Sequence, residues 1–220
     1  MEEKKIASLR YLIRTPDAFR EDKRYPVLLY LHGAGTRNNM ESLHTNPLFR
    51  ELEKQSLPFV GVAPLCEENS WFDHFHELKD LVKSIATLPF VDPARIYLTG
   101  LSMGGYGAWQ LAMSIPEAFA ALVPICGGGM YWSTARLKHL PVWAFHGGRD
   151  ETVFPAESEN MVGAVNKKGG SAKLTIFPED GHNAWDSAYQ SPELYTWLLS
   201  HRNENVLPEG DEFKNAVIYG

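Results

Sequence analysis

The strongest constraint on the fold of this chain is a glycine-flanked serine between an apolar run and a helix-like segment. The residues read Gly100-Leu-Ser-Met-Gly104, with Ile96–Leu98 before them and Tyr106–Ser114 after them. A sharp strand-to-helix turn of this composition, called a nucleophile elbow, holds a serine hydroxyl clear of its sheet. Because backbone meets backbone at such a turn, a Cβ at either glycine would collide with the neighbouring strand or helix. The pattern therefore predicts that Ser102 projects from the end of a buried strand.

Apolar runs and segments with helical spacing alternate along the rest of the chain. Strands are predicted at the short apolar runs Ile6–Ile13, Val27–Leu31, Phe59–Ala63, Ile96–Leu98, Ala121–Ile125, Val142–Phe145 and Leu174–Phe177. Helices are predicted over Leu78–Leu88, Gly105–Ile115 and Ala156–Asn166, and near Pro192–His201. This rhythm predicts an α/β fold, in which a mostly parallel central sheet carries helices on both faces.

Length and composition favour one globular domain over residues 1–220. The tail, residues 203–220, is polar and charged, and it is either a frayed extension or a segment that packs against the domain. The net charge of −6 disfavours nucleic acid or an anionic membrane as a partner. Neither a membrane-spanning apolar stretch nor a signal-peptide core is present, so we expect a cytoplasmic protein. The two cysteines show no metal-ligand spacing. Nothing in the sequence indicates an oligomeric state.

A nucleophilic serine needs a base beside it, and the best candidate is His182. It lies in Asp180-Gly-His-Asn-Ala-Trp185, directly after the predicted strand Leu174–Phe177. Ligands bind beyond the carboxyl ends of strands in open α/β sheets, so this loop is at the expected edge. His146 also follows a strand, but it opens a Gly-Gly turn and we interpret it as orienting that loop.

The residue that orients the imidazole is predicted to be Asp150, at the end of the run His146-Gly-Gly-Arg-Asp150. Glu151 and Asp180 are the competing carboxylates. Asp180 is only two residues from His182 and too local to reach the far ring nitrogen. The resulting chain order is serine, aspartate, histidine, which is typical of one of the three familiar triad arrangements.

Two backbone N–H groups are needed to bind a developing negative charge. One is predicted at Met103, which follows the serine and begins a helix whose dipole favours an anion. The other is predicted at Ala34, in the glycine-containing loop Leu31-His-Gly-Ala-Gly35 after a buried strand.

Four motifs together resemble the small serine carboxylesterase group of the α/β-hydrolases. They are Leu31-His-Gly-Ala-Gly35, Gly100-Leu-Ser-Met-Gly-Gly105, His146-Gly-Gly-Arg-Asp150 and Asp180-Gly-His-Asn-Ala-Trp185. The group includes dienelactone-hydrolase-like, phospholipase/carboxylesterase-like and feruloyl-esterase-like enzymes, and bacterial proteins described as predicted peptidases. The resemblance covers nearly the whole chain and implies an α/β-hydrolase fold, a Ser-His-Asp triad, an acyl-enzyme intermediate and no cofactor or metal.

One departure from the resemblance bears on the reaction. Dienelactone hydrolases carry cysteine at the elbow, whereas this chain has Ser102 there. The resemblance with this departure favours ester hydrolysis over dienelactone ring opening, with a small-molecule ester as substrate.

The substrate class is constrained by the segment Cys126–Pro141, which is too short to form a large lid. We therefore expect an open cleft that takes short-acyl or aryl esters. Aromatic residues at the same edge are candidates for the pocket walls, and Trp71 and Trp185 are the two we choose.

The same serine, histidine and aspartate could serve activities other than ester hydrolysis of small molecules. A peptidase of the prolyl-oligopeptidase kind is the first alternative, although that group usually gates its site with an added propeller. A (lyso)phospholipase or thioesterase would differ only in its acyl pocket. A non-catalytic binding module on this fold would usually lack a member of the triad, and here all three are present.

Overall fold

The computed structural model describes residues 1–204, which form one eight-stranded sheet with helices against both faces. The strands are β1 (Glu2–Ile6), β2 (Leu9–Arg14), β3 (Tyr25–Leu31), β4 (Val60–Pro64), β5 (Val91–Leu101), β6 (Ala121–Ile125), β7 (Val142–Gly147) and β8 (Ala172–Phe177). The helices are α1 (Met40–His44), α2 (Pro47–Lys54), α3 (Phe75–Ala86), α4 (Met103–Ser114), α5 (Ala156–Lys167), α6 (Trp185–Gln190) and α7 (Pro192–Leu199).

The sheet order is β1-β2-β4-β3-β5-β6-β7-β8. Strands β3 to β8 pair in parallel, whereas β2 is antiparallel to both β1 and β4. The register brings the carboxyl ends of the central strands level, since Leu101 pairs with Ile125 and Ile125 with Phe145. The loops after β5, β6 and β7 therefore begin side by side at one edge of the sheet.

Two apolar layers bury the sheet, because side chains alternate between its faces. On β3, Val27 and Leu29 pack into the layer under α3, α4 and α5, while Leu28 and Tyr30 pack into the layer under α2, α6 and α7. Every residue of β3 is buried, as its continuous apolar run predicts. The predicted α/β class with helices on both faces is confirmed, and the architecture is that of an α/β-hydrolase.

The first predicted strand is wrong as a single element. The segment Ile6–Ile13 contains the end of β1, a turn and most of β2, which pair as an antiparallel hairpin. Ala7 adopts a positive φ of 50° at the turn, a conformation uncommon for a residue with a side chain. The last helix, predicted near Pro192–His201, is α7, which ends two residues earlier at Leu199, whereas α6 was not predicted.

The proposed tail falls mostly outside the described residues, which end at 204. Within them, the Asn203 backbone N–H donates to the Ala94 carbonyl at 2.8 Å. Both cysteines are buried and free. Among the helices of residues 1–204, none combines the length and apolar character that crossing a membrane requires.

Candidate active site

The turn at Ser102 has the steric character predicted from its glycines. Ser102 adopts φ 55° and ψ −121°, an uncommon conformation for a residue with a side chain, which costs of order 1–3 kcal/mol and needs support from its surroundings. A Cβ at Gly104 would overlap the backbone carbonyl of Leu31 on β3, and one at Gly100 would overlap the backbone of Gly104. Both flanks therefore exclude any larger residue, and the strained serine is held between β5 and α4.

The structure brings Ser102, His182 and Asp150 into one hydrogen-bonded chain. His182 Nε2 lies 2.8 Å from Ser102 Oγ, and its Nδ1 lies 2.7 Å from Asp150 Oδ2. The His182 side chain is 24% exposed, while the Asp150 carboxylate is fully buried. With Nδ1–H donating to the carboxylate, Nε2 is free to accept the serine proton.

The Asp150 carboxylate is held in its ionised form by its surroundings. Burial by itself would raise its pKa, but hydrogen bonds from His182 and from the Val153 and Thr152 backbone outweigh that effect, so the pKa is lowered. Both backbone N–H groups donate to Oδ1 at 2.9 Å. The alternative acid Asp180 accepts a hydrogen bond from Ser187 instead.

The two predicted N–H donors lie at the first positions of two helical segments beside the serine. Met103 begins α4, and Ala34 begins a short 3₁₀ helix, Ala34–Thr36. N–H groups at first helical positions have no partner within their own helix. A Cβ on the adjacent Gly33 would lie 3.5 Å from the Ser102 Cβ, so this loop lies directly against the serine.

His32 anchors the loop that carries Ala34 through hydrogen bonds at both of its ring nitrogens. Its Nε2 accepts the Cys66 backbone N–H at 2.9 Å, and its Nδ1 donates to the Gly33 carbonyl at 2.7 Å. Burial lowers the pKa of His32 to about 4, so the ring stays neutral near pH 7. The neutral ring joins the loop after β3 to the end of β4.

Trp71, one of the two predicted pocket walls, lies inside the protein, and that prediction is wrong. Its side chain is fully buried, its indole N–H donates to the His32 carbonyl at 2.9 Å, and its ring packs closely over Gly107 of α4. A side chain without exposed surface cannot contact a substrate; Trp71 instead supports the loop that carries Ala34.

Trp185 lies at the site. It is partly exposed, and its ring meets that of His182 edge to face, with centroids 5.4 Å apart. Large aromatic side chains are also exposed in loops after β4, β6 and β7, namely Phe72, Tyr131, Trp132 and Phe154. Between β6 and β7 the chain forms a 3₁₀ helix, Tyr131–Leu137, and no large lid is built there.

A buried group of polar residues around Asp150 was not anticipated from the sequence. Polar atoms of Cys126, His146 and Asp150 lie within 4.8 Å of one another, close enough for ligands of one metal ion. Each is used within the protein, however. Burial raises the pKa of the Cys126 thiol to about 12, so it remains a hydrogen-bond donor beside the carboxylate. We therefore assign the group to the interior of the protein around Asp150. The sequence signal for it was that Cys126 and His146 each directly follow a predicted strand.

Known proteins resemble this chain in sequence and in fold. Residues 65–192 match the dienelactone hydrolase family. Feruloyl esterase B of Piromyces equi is 26% identical over 165 residues, which cover 66% of this chain and 30% of that protein. A probable dipeptidyl-aminopeptidase B of Paracoccidioides brasiliensis is 28% identical over 259 residues, which cover 96% of this chain and 28% of that protein. The chain thus spans less than a third of either relative.

A solved structure described as a thermostable esterase superposes with a TM-score of 0.75 at 29% identity, covering 88% of this chain and 59% of that one. The fold, the serine elbow and the neighbouring histidine and aspartate thus occur in a chain most of which matches one family model. The α/β-hydrolase architecture and that match together lead to one conclusion: the chain belongs to the dienelactone hydrolase family.

Proposed function

We propose that this chain is a serine hydrolase that cleaves carboxylic esters through an acyl-enzyme intermediate. The observation that carries the proposal is the continuous chain from Ser102 Oγ through His182 to Asp150, with hydrogen bonds of 2.8 and 2.7 Å. A serine hydroxyl becomes nucleophilic when a base can take its proton as it attacks.

The proposed reaction has two steps. Ser102 attacks the ester carbonyl while His182 Nε2 takes its proton, and the N–H groups of Ala34 and Met103 bind the oxyanion. His182 then protonates the departing alcohol, and the acyl-serine forms. Water attacks this ester with His182 again as base, and the carboxylic acid leaves. Asp150 stabilises the imidazolium in both steps. Protein groups provide each proton transfer, so the proposal invokes no cofactor.

For the substrate we propose short-acyl or aryl esters. The exposed aromatic rings in the loops at this edge, together with Trp185 beside the base, support an apolar, open cleft. The feruloyl esterase among the relatives is consistent with an aryl acyl group.

Replacement of the serine tests the proposal. Ser102→Ala should lower kcat on p-nitrophenyl acetate by roughly 10⁴–10⁶-fold and abolish labelling by a fluorophosphonate, with the thermal unfolding midpoint retained. Ser114→Ala, at the opposite end of α4 from Ser102, is the matched control and should change neither kcat nor the labelling. Comparable turnover by the Ser102→Ala protein would exclude the proposed nucleophile.

A peptidase is the second candidate, because a relative described as a dipeptidyl-aminopeptidase aligns over 96% of this chain. The same serine and base would then cleave an amide. Turnover of aryl esters measured against aminoacyl-prolyl amides separates the two: we expect a kcat/KM preference for esters, and a preference for the amides would assign peptidase activity instead.

A further inference from the structure

A second histidine, His146, lies beside the carboxylate of Asp150. His146 Nε2 is 3.3 Å from Oδ2, the oxygen that also accepts from His182 Nδ1 at 2.7 Å. The His146 side chain is completely buried at the end of β7, so it contacts neither solvent nor an incoming ester. The mechanism above gives it no part.

The position of one hydrogen on His146 follows from its neighbours. Nε2 faces the Val153 carbonyl at 2.8 Å and the Asp150 carboxylate at 3.3 Å. Both oxygens can only accept, so Nε2 must carry the hydrogen. His146 therefore donates to the Val153 carbonyl, and the Asp150 carboxylate lies beside the same nitrogen.

The opposite edge of the ring is fixed by α5. His146 Nδ1 lies 2.7 Å from the hydroxyl of Ser158, which is itself buried and 3.0 Å from the Gly127 carbonyl. With its hydrogen on Nε2, the ring accepts the Ser158 hydroxyl at Nδ1 and is thereby tied to α5 as well as to β7. A donor held at both edges of its ring can orient what it donates to.

Asp150 depends on the segment that His146 holds. Its Oδ1 accepts the backbone N–H groups of Thr152 and Val153, and Val153 is the residue whose carbonyl takes the His146 hydrogen. His182 cannot fix the carboxylate, because His182 is the group to be positioned and it gains and loses a proton in each proposed step.

We propose that His146 is a positioning residue for the triad: its Nε2–H holds the Val153 carbonyl, so that the Val153 N–H keeps the Asp150 carboxylate where it accepts from His182 Nδ1. The carboxylate in turn sets the direction of His182 Nε2 toward Ser102. This inference rests on the proposed ester hydrolysis. It assigns His146 a role through Asp150 and no contact with substrate.

Three variants test it. His146→Leu keeps the approximate size of the side chain and removes the donor; His146→Gln places an amide N–H near the position of Nε2; Ser158→Ala removes the anchor of the ring. In His146→Leu, kcat on p-nitrophenyl acetate should fall about 10–100-fold, the scale of a small misplacement, with KM changed less than about threefold. His146→Gln should restore most of kcat, and Ser158→Ala should lie between them.

A second readout is the low-field proton resonance of His182 Nδ1–H. It should move in His146→Leu and Ser158→Ala and return toward the wild-type position in His146→Gln. This measurement needs no turnover, so it tests positioning even if the wild-type protein fails to hydrolyse esters, which would overturn the proposed function alone.

The opposing outcomes are equally definite. A folded His146→Leu protein with unchanged kcat and an unmoved resonance would make His146 a packing residue only. If His146→Leu does not fold, Ser158→Ala decides, because an unchanged resonance and kcat there would overturn the proposal.

Discussion

The two sides of the candidate cleft hold their polar groups by different physical means. On the elbow side, backbone atoms pack against backbone atoms: Gly104 lies against β3 and Ser102 is confined to a positive φ. On the acid–base side, hydrogen bonds hold the polar groups, since Asp150 accepts from His182, from two backbone N–H groups and from the Cys126 thiol. We therefore expect the first side to be sensitive to side-chain volume and the second to charge and proton position.

Of the changes that distinguish the two sides, a change of charge without a change of volume should have the largest effect. Asp150→Asn should lower kcat about 10⁴-fold, because the amide would donate to His182 and favour the wrong tautomer. Steady-state kinetics on p-nitrophenyl acetate and thermal unfolding would be measured together. Asp180→Asn is the matched control, and its kcat should stay within about threefold of wild type. An equal loss in both variants would contradict the assignment of the acid.

A change of volume without a change of charge should act on the elbow side. Gly104→Ala places a Cβ against the Leu31 carbonyl and should lower the free energy of unfolding by about 3 kcal/mol, the upper range for overpacking. Gly163→Ala in α5 is the control: no atom lies within 4 Å of the added Cβ, and the helix should gain about 0.5–1 kcal/mol. Denaturant titration gives both values. A Gly104→Ala protein as stable as wild type would show that sterics do not hold the elbow.

The elbow side also contains a pH-sensitive anchor, the buried imidazole of His32. Its pKa falls from 6.5 to about 4 on folding because the ring is buried. Between these values the unfolded chain binds a proton that the native state does not, so stability decreases as pH falls. The contribution of His32 between pH 7 and pH 5 is about 2 kcal/mol.

Denaturant unfolding at those two pH values measures this loss. His32→Gln can still donate and accept but does not titrate, so its loss on acidification should be smaller by about that amount. An identical pH dependence in both proteins would mean that His32 is not the group responsible.

The smallest effect is expected at Trp185, the partly exposed ring beside His182. Trp185→Ala removes the edge-to-face contact with His182, worth about 1 kcal/mol, and should reduce kcat/KM for aryl esters about fivefold. Trp185→Phe should retain most of the activity. Unchanged kcat/KM in the alanine variant would remove Trp185 from the pocket.

Much of the fold was predictable because its signals are local. β6 agrees residue for residue with its predicted run, and α5 differs by one residue. The short helices α1 and α2 were not predicted, although Asn39 and Asn46 cap them through side-chain hydrogen bonds and Pro47 begins the second. Such caps are readable signals, but five or eight residues carry too little periodicity to stand out.

The prediction for Trp71 failed for a different reason, since its burial depends on residues far away in the chain. Its position in a loop at the correct edge was consistent with a pocket wall, and nothing within that loop requires burial. Burial follows from Gly107, which leaves room on α4 for the indole ring, and from the His32 carbonyl that accepts its N–H. Contacts between residues so far apart in the chain depend on how α4 packs against the sheet.

The sequence by itself determined the elbow, because much of its constraint is local: a Cβ at Gly100 would overlap the backbone of Gly104, four residues along the chain. The alternation of strands and helices along the chain also placed Asp150 and His182 on loops that follow parallel strands, and therefore at one edge of the sheet. Only the tertiary structure decided which atoms meet there. The register of β5, β6 and β7 brings His146, Cys126 and Asp150 within reach of one another, and hydrogen bonds form only at such distances.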